Sequence, residues 1–199
     1  MTSGRERWVH LYEFGIGHEP GAGAWGDLSE EELARAGQIV DPARRSRFVA
    51  RRAALSAILA GYAGRPVCFN SSDSGDVGVA AVAARPVGVD IEIDASRRLE
   101  ARIAERMFAA DERTALDALR GDARRRLFHR CWVAKEAYAK GRGRGLAMSF
   151  AEFSVAPALR SPDGTGAVGE GWMVSVSTNG DRHVAVAAEG DDWEVVRVD

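Results

Sequence analysis

The chain has 199 residues, 46% of them hydrophobic, and 27 Lys+Arg against 29 Asp+Glu leave a formal net charge of -2. That length allows one domain or two small ones with a real core, and the balanced charge argues against a nucleic-acid binder. Two cysteines, Cys68 and Cys131, exclude a disulfide framework and a four-cysteine zinc site, and no apolar run reads as a signal peptide or membrane span, so a cytoplasmic protein is expected.

Trp8 to Phe14 reads as a first strand, followed by a Gly-rich loop over 15–27. Ser29-x-x-Glu32 is a capping box with Leu28 and Leu33 placed as a staple, so a helix starts there. Asp41-Pro42 opens a second helix running to about Tyr62, with Phe48, Leu55, Ile58/Leu59 and Tyr62 as its stripe. Arg52 flanks that stripe and must either snorkel to solvent or meet an anion.

From 64 to 93 the period changes. Val67–Asn70, Val77–Val82 and Val87–Ile93 read as strands separated by polar or Pro-containing turns. A helical block covers about 99–141. Strands return at Phe153–Val155, Trp172–Ser177, His183–Ala188 and Trp193–Val198. Helices followed by a small β-meander thus occur twice, and GDVGVAAV from Gly75 aligns with GDRHVAVA from Gly180. The expected fold is α+β, with two pseudo-symmetric halves, 1–94 and 95–199, each with helices on a small antiparallel meander. A single site in the cleft between them follows, since pockets favour such interfaces.

Two stretches carry chemistry. In Gly88-Val89-Asp90-Ile91-Glu92, strand alternation puts both acids on one face and Val89, Ile91 and Ile93 on the other. Such a pair is either a solvated acidic face or a cation site, because adjacent carboxylates repel. In 127–146, Phe128, Trp132, Glu136 and Lys140 lie four apart and form one slowly winding row on a helix. Lys135 and Lys140 are the only lysines in an otherwise arginine-based chain. Either this is chance plus a Glu136–Lys140 surface pair, or a compact amine is required there. Asp90, Glu92 and Glu136 together would make an oxygen site suited to Mg²⁺ or Mn²⁺, and Lys140 with nearby arginines would suit a pyrophosphate.

The pair GVDIE and WVAKEAYAKGRGRGL resembles the 4′-phosphopantetheinyl transferases that activate peptide and polyketide synthetases, whose pattern is G-x-D-x-E followed by W-x-x-K-E-A-x-x-K. The resemblance implies two fused α+β halves, a monomer sufficing for one site, and transfer of phosphopantetheine from coenzyme A to a serine of an acyl or peptidyl carrier protein. Mg²⁺ on Asp90, Glu92 and Glu136 is implied, with Glu136 as general base and Lys140 at the departing 3′,5′-ADP. Lys135 is implied near the same phosphates, though its side chain leaves the helix about 100° from that of Glu136. Arg45 and Arg52 match positions of nucleotide-binding cations. The segment 95–107, with Arg97, Arg98 and Arg102 beside Leu99, Ile103 and Met107, is either a carrier-docking surface or an ordinary amphipathic helix buried at the interface between the halves.

The chain departs from the pattern twice. Asp73 stands where the family has a histidine that, with the adjacent serine (here Ser72), meets the nucleotide 3′-phosphate. At ~4 Å and an effective dielectric of ~20, a carboxylate facing a phosphate costs about 4 kcal/mol per unit charge. The family also has an extra strand and loop, ending in G-K-P and holding the adenine, before that motif; here Gly64-Arg65-Pro66 follows the second helix almost directly, so the intervening segment is missing. These departures admit several alternatives: a rearranged loop with Asp73 turned to solvent or paired with Arg52 or Arg65, a substrate lacking the 3′-phosphate, a protein that binds carrier or nucleotide without transfer, or one repurposed to different chemistry.

Overall fold

The Ser29 hydroxyl accepts the Glu32 N–H while the Glu32 carboxylate accepts the Ser29 N–H, and the Asp41 carboxylate accepts the N–H groups of Ala43 and Arg44. These caps start α1 (Glu30–Gln38) and α2 (Pro42–Ala60) where the capping pattern places them. The computed structural model describes residues 6–17, 19–94 and 100–198. Around these two helices lie β1 (Trp8–Gly15), β2 (Cys68–Ser74), β3 (Val77–Ala83) and β4 (Val87–Ile93). Then come α3 (Glu100–Met107), α4 (Ala110–Asp117), α5 (Gly121–Gly141) and α6 (Ala156–Arg160), and finally β5 (Thr165–Ala167), β6 (Trp172–Asn179), β7 (Arg182–Glu189) and β8 (Glu194–Val198). Among the described residues no helix is long and apolar enough to cross a membrane.

The fold is α+β, with two four-stranded sheets ordered β2-β3-β1-β8 and β4-β7-β6-β5. Neither meander is self-contained. β4 leaves β2 and β3 to pair antiparallel with β7, and β8 leaves β6 and β7 to run parallel to β1. Each sheet therefore receives its last strand from the other half, and β1, inserted between β3 and β8, breaks the repeat.

The sheets face each other through Val9, Leu11, Val79, Val89, Ile91, Val184 and Val186, one strand face of alternating positions. On β7 the other alternation, Ala185 and Ala187, lies with Cys131, Ala134, Ala137 and Tyr138 of α5 in a second core. Because Val89 and Ile91 are spent on the sheet–sheet core, Gly88, Asp90 and Glu92 face the layer that holds α5. The fold thus turns the acidic pair toward the lysine-bearing helix.

Two expected boundaries differ. Phe153–Val155 is not a strand, because the Phe153 carbonyl accepts from the Lys135 ammonium and the Val155 N–H donates to Glu112, leaving these groups no ladder to join. β2 continues to Ser74 through residues that read as a turn, since its polar side chains have partners on β4.

Candidate active site

The site is built by a close approach. A Cβ on Gly88 would lie 2.1 Å from the Ala137 carbonyl oxygen and 2.3 Å from the Gly141 nitrogen, so only glycine lets α5 rest on β4 here. Two residues on along β4, Asp90 is buried beneath the end of that helix. The Lys140 ammonium donates to Asp90 Oδ1 at 2.7 Å and to Ser72 Oγ at 2.9 Å, and the Ser72 hydroxyl donates to the same Asp90 oxygen at 2.7 Å. Glu92 accepts from the Ser74 hydroxyl at 3.1 Å.

Burial raises the Asp90 carboxyl above its usual range, against the pull of Lys140 and Ser72, and the charge of Glu92 adds to the rise. Glu136, half-buried one turn before Lys140, is also raised, first by burial and then by repulsion from Asp90, with Glu92 contributing and Lys140 opposing. The three acids and one lysine named by the sequence therefore act on one another. Across the ladder from Glu92, His183 is depressed to about 4 by burial first and by His129 next, and is neutral at pH 7.

Among the described residues no three His, Cys, Asp or Glu side chains form a ready-made metal cage, and Asp90 Oδ1 is engaged by Lys140. The chemistry of the donor set nevertheless fits a hard divalent cation. Carboxylate oxygens are hard ligands of the kind such an ion takes, and Asp90 and Glu136, raised first by burial and further by neighbouring acids, would each gain from a cation beside them.

Beside the acids lies an open pocket of about 450 Å³, lined by Arg44, Arg47 and Arg51 of α2, by Asp73 and Ser74 of β2, and by Glu92. The arginines follow i, i+3, i+7 spacing on one helix face, a periodicity that could have revealed them in the sequence. Arg51 pairs with Asp73 at 3.1 Å, so the aspartate that departs from the family pattern holds a guanidinium in this pocket.

Several expected ligands are placed elsewhere. Arg52 pairs with Glu32 of α1, and Arg45 is not among the residues lining this pocket. Arg65 pairs with Glu6 at 2.8 Å and lies over the Trp8 ring at 5.1 Å, against β1. Lys135 is fully buried, 2.9 Å from Glu112 and donating to the carbonyls of Phe150 and Phe153, so its ammonium is consumed inside the core. Ser72 is buried beneath Lys140. Ile103 and Met107 pack against the second core; Arg97, Arg98 and Leu99 lie outside the described residues.

A glycine-seated helix thus brings acids and a lysine beside an arginine-lined pocket, a surface whose guanidiniums suit a polyanionic group. Residues 86–187 match the 4′-phosphopantetheinyl transferase superfamily, and the chain belongs to it. The match contains Asp90, Glu92, Glu136 and Lys140. The 4′-phosphopantetheinyl transferase HetI of Nostoc is 34% identical over 146 residues, covering 60% of this chain and 61% of HetI. AcpT of Escherichia coli is 34% identical over 115 residues, covering 50% of this chain and 59% of AcpT, and Sfp of Bacillus subtilis 34% over 87 residues, covering 44% and 38%. The chain thus spans less than two thirds of the length of these relatives. A crystal structure of holo-(acyl-carrier-protein) synthase from Bacillus anthracis, in complex with CoA (3′,5′-ADP), aligns with a TM-score of 0.41 at 22% identity, covering 53% of this chain and 96% of that one.

Proposed function

We propose that the protein transfers the 4′-phosphopantetheine arm of coenzyme A to a serine hydroxyl of an acyl or peptidyl carrier protein. The observation that carries this reading is the meeting of Asp90, Glu136 and Lys140 next to the pocket of Arg44, Arg47 and Arg51. The guanidiniums bind and orient the nucleotide phosphates. Asp90, Glu92 and Glu136 would hold Mg²⁺, whose charge, when bound, neutralises the diphosphate. Glu136, already biased toward holding a proton, takes the proton of the attacking serine hydroxyl. The serine oxygen bonds to the phosphorus bearing pantetheine, the bond from that phosphorus to the ADP oxygen breaks, and Lys140 neutralises the departing 3′,5′-ADP.

The test is intact mass of an apo carrier protein incubated with the chain, Mg²⁺ and coenzyme A. A gain of one phosphopantetheine arm is expected; binding of coenzyme A without any gain across several carriers refutes transfer. The Arg51–Asp73 pair favours a second reading of the substrate, since a carboxylate in the pocket suits a ribose hydroxyl better than a further phosphate. In the same assay, dephospho-coenzyme A then matches or exceeds coenzyme A; a strong preference for coenzyme A removes that reading.

A further inference from the structure

β2 and β4 lie against each other yet belong to different sheets, so no backbone ladder joins them. Alternate side chains of β2 make the seam instead. Asn70 Oδ1 accepts the Val89 N–H at 3.1 Å, and Ser74 Oγ accepts the Ile93 N–H at 3.2 Å while donating to Glu92. Between them Ser72, 7% exposed, uses its hydroxyl in both directions, accepting from Lys140 and donating to Asp90. A hydroxyl engaged twice and buried beneath the lysine is not presented to the arginine-lined pocket, whose lining includes its neighbours Asp73 and Ser74 but not Ser72.

Resting on the transferase reading above, we propose that Ser72 is a positioning residue: it holds the Lys140 ammonium and the Asp90 carboxylate in their working orientation and does not itself meet the nucleotide. Without the hydroxyl, Asp90 Oδ1 keeps only Lys140 of its two donors and Lys140 loses one of three acceptors, the others being Asp90 and the more distant Val89 carbonyl, so the pair is held less firmly. The defect belongs to the chemical step and leaves substrate binding intact.

The experiment compares wild type with Ser72→Ala and with Ser72→Cys, which keeps the volume but offers only a weak donor should the alanine variant fold poorly. Steady-state transfer gives kcat and KM for coenzyme A, and calorimetry gives its affinity without turnover. Expected is a kcat loss of roughly tenfold, the worth of one hydrogen bond to a charged group, with KM and affinity within about twofold of wild type. A rise in KM with weakened affinity at unchanged kcat overturns the proposal, because it places the hydroxyl on the substrate. Unchanged kinetics in a folded variant also overturns it. If the wild type transfers nothing, the transferase reading fails and this inference falls with it; if the wild type is active and the variants match it, the inference alone falls.

Discussion

Asp90 and Glu136 are carboxylic acids pressed into a poorly solvated corner, and both hold their protons above the usual range. A folded-state pKa above the unfolded one means that the folded protein binds more protons between the two values, so stability is lost as pH rises through that window. The charged site is therefore a cost to the fold at neutral pH, of the kind kept for function. Glu136→Gln removes a burial penalty and the repulsion from Asp90 and Glu92 without changing shape. Expected is a melting temperature raised by roughly 2 °C at pH 7 and a shallower loss of stability above pH 4.5, together with a transfer rate lowered roughly 100-fold or more. Thermal melts across pH and the mass assay measure the two effects; a variant both less stable and fully active contradicts this account.

At the scale of elements, the decisive contact is α5 seated on β4. Gly88 lies against the backbone of Ala137 and Gly141, and a Cβ on Gly141 would in turn lie 2.6 Å from Trp172. Gly88→Ala meets main-chain atoms that no rotamer change can move, so the helix must lift and carry Lys140 away from Asp90. A loss of roughly 3 kcal/mol of stability is expected in chemical denaturation, with transfer reduced more than the folded fraction explains; wild-type stability and activity would show that the helix has slack here. The same contact explains what could be read in advance. Alternation along GVDIE and four-residue spacing along the helix fix which side chains share a face, so Asp90 with Glu92, and Glu136 with Lys140, are legible as two pairs, which the fold joins through the Asp90–Lys140 contact. Periodicity also hints at the inward turn of Lys135, 100° per residue from Glu136, but its partner Glu112 comes from α4 and no local rule links the two. The roles of Arg44, Arg47 and Arg51 against Arg45 and Arg52 depend on which side of α2 meets α1 and which meets β2, a tertiary fact. The polar run ending in Ser74 reads as a turn only until β4 supplies its partners.

For the whole molecule, the internal repeat predicts two halves, 1–94 and 95–199, but not that β4 and β8 each join the other segment's sheet. Period and turn spacing identify hairpins β2–β3 and β6–β7, yet nothing local says that the next strand of each crosses to the other sheet. The crossing bears on the candidate site: Asp90 and Glu92 come from residues 1–94 and Glu136 and Lys140 from 95–199, so the Asp90–Lys140 contact forms only when both are folded together. It bears on folding as well. Fragment 1–94 lacks the β7 ladder along all of β4 and leaves Val89 and Ile91 without Val184 and Val186. Fragment 95–199 loses β4 from one edge of its sheet and the β1 partner of β8. Burial of apolar surface is the main stabilising contribution, and each half would expose an unpaired edge besides, so neither is expected to fold alone. Produced separately, each should give collapsed amide dispersion in a proton–nitrogen NMR spectrum. Mixed or co-expressed, they should recover the dispersed spectrum of the intact chain and its transfer activity together. A well-dispersed spectrum from isolated 1–94 would mean that β4 finds a place beside β2 without its partner, and that the exchange of strands is not what holds the site.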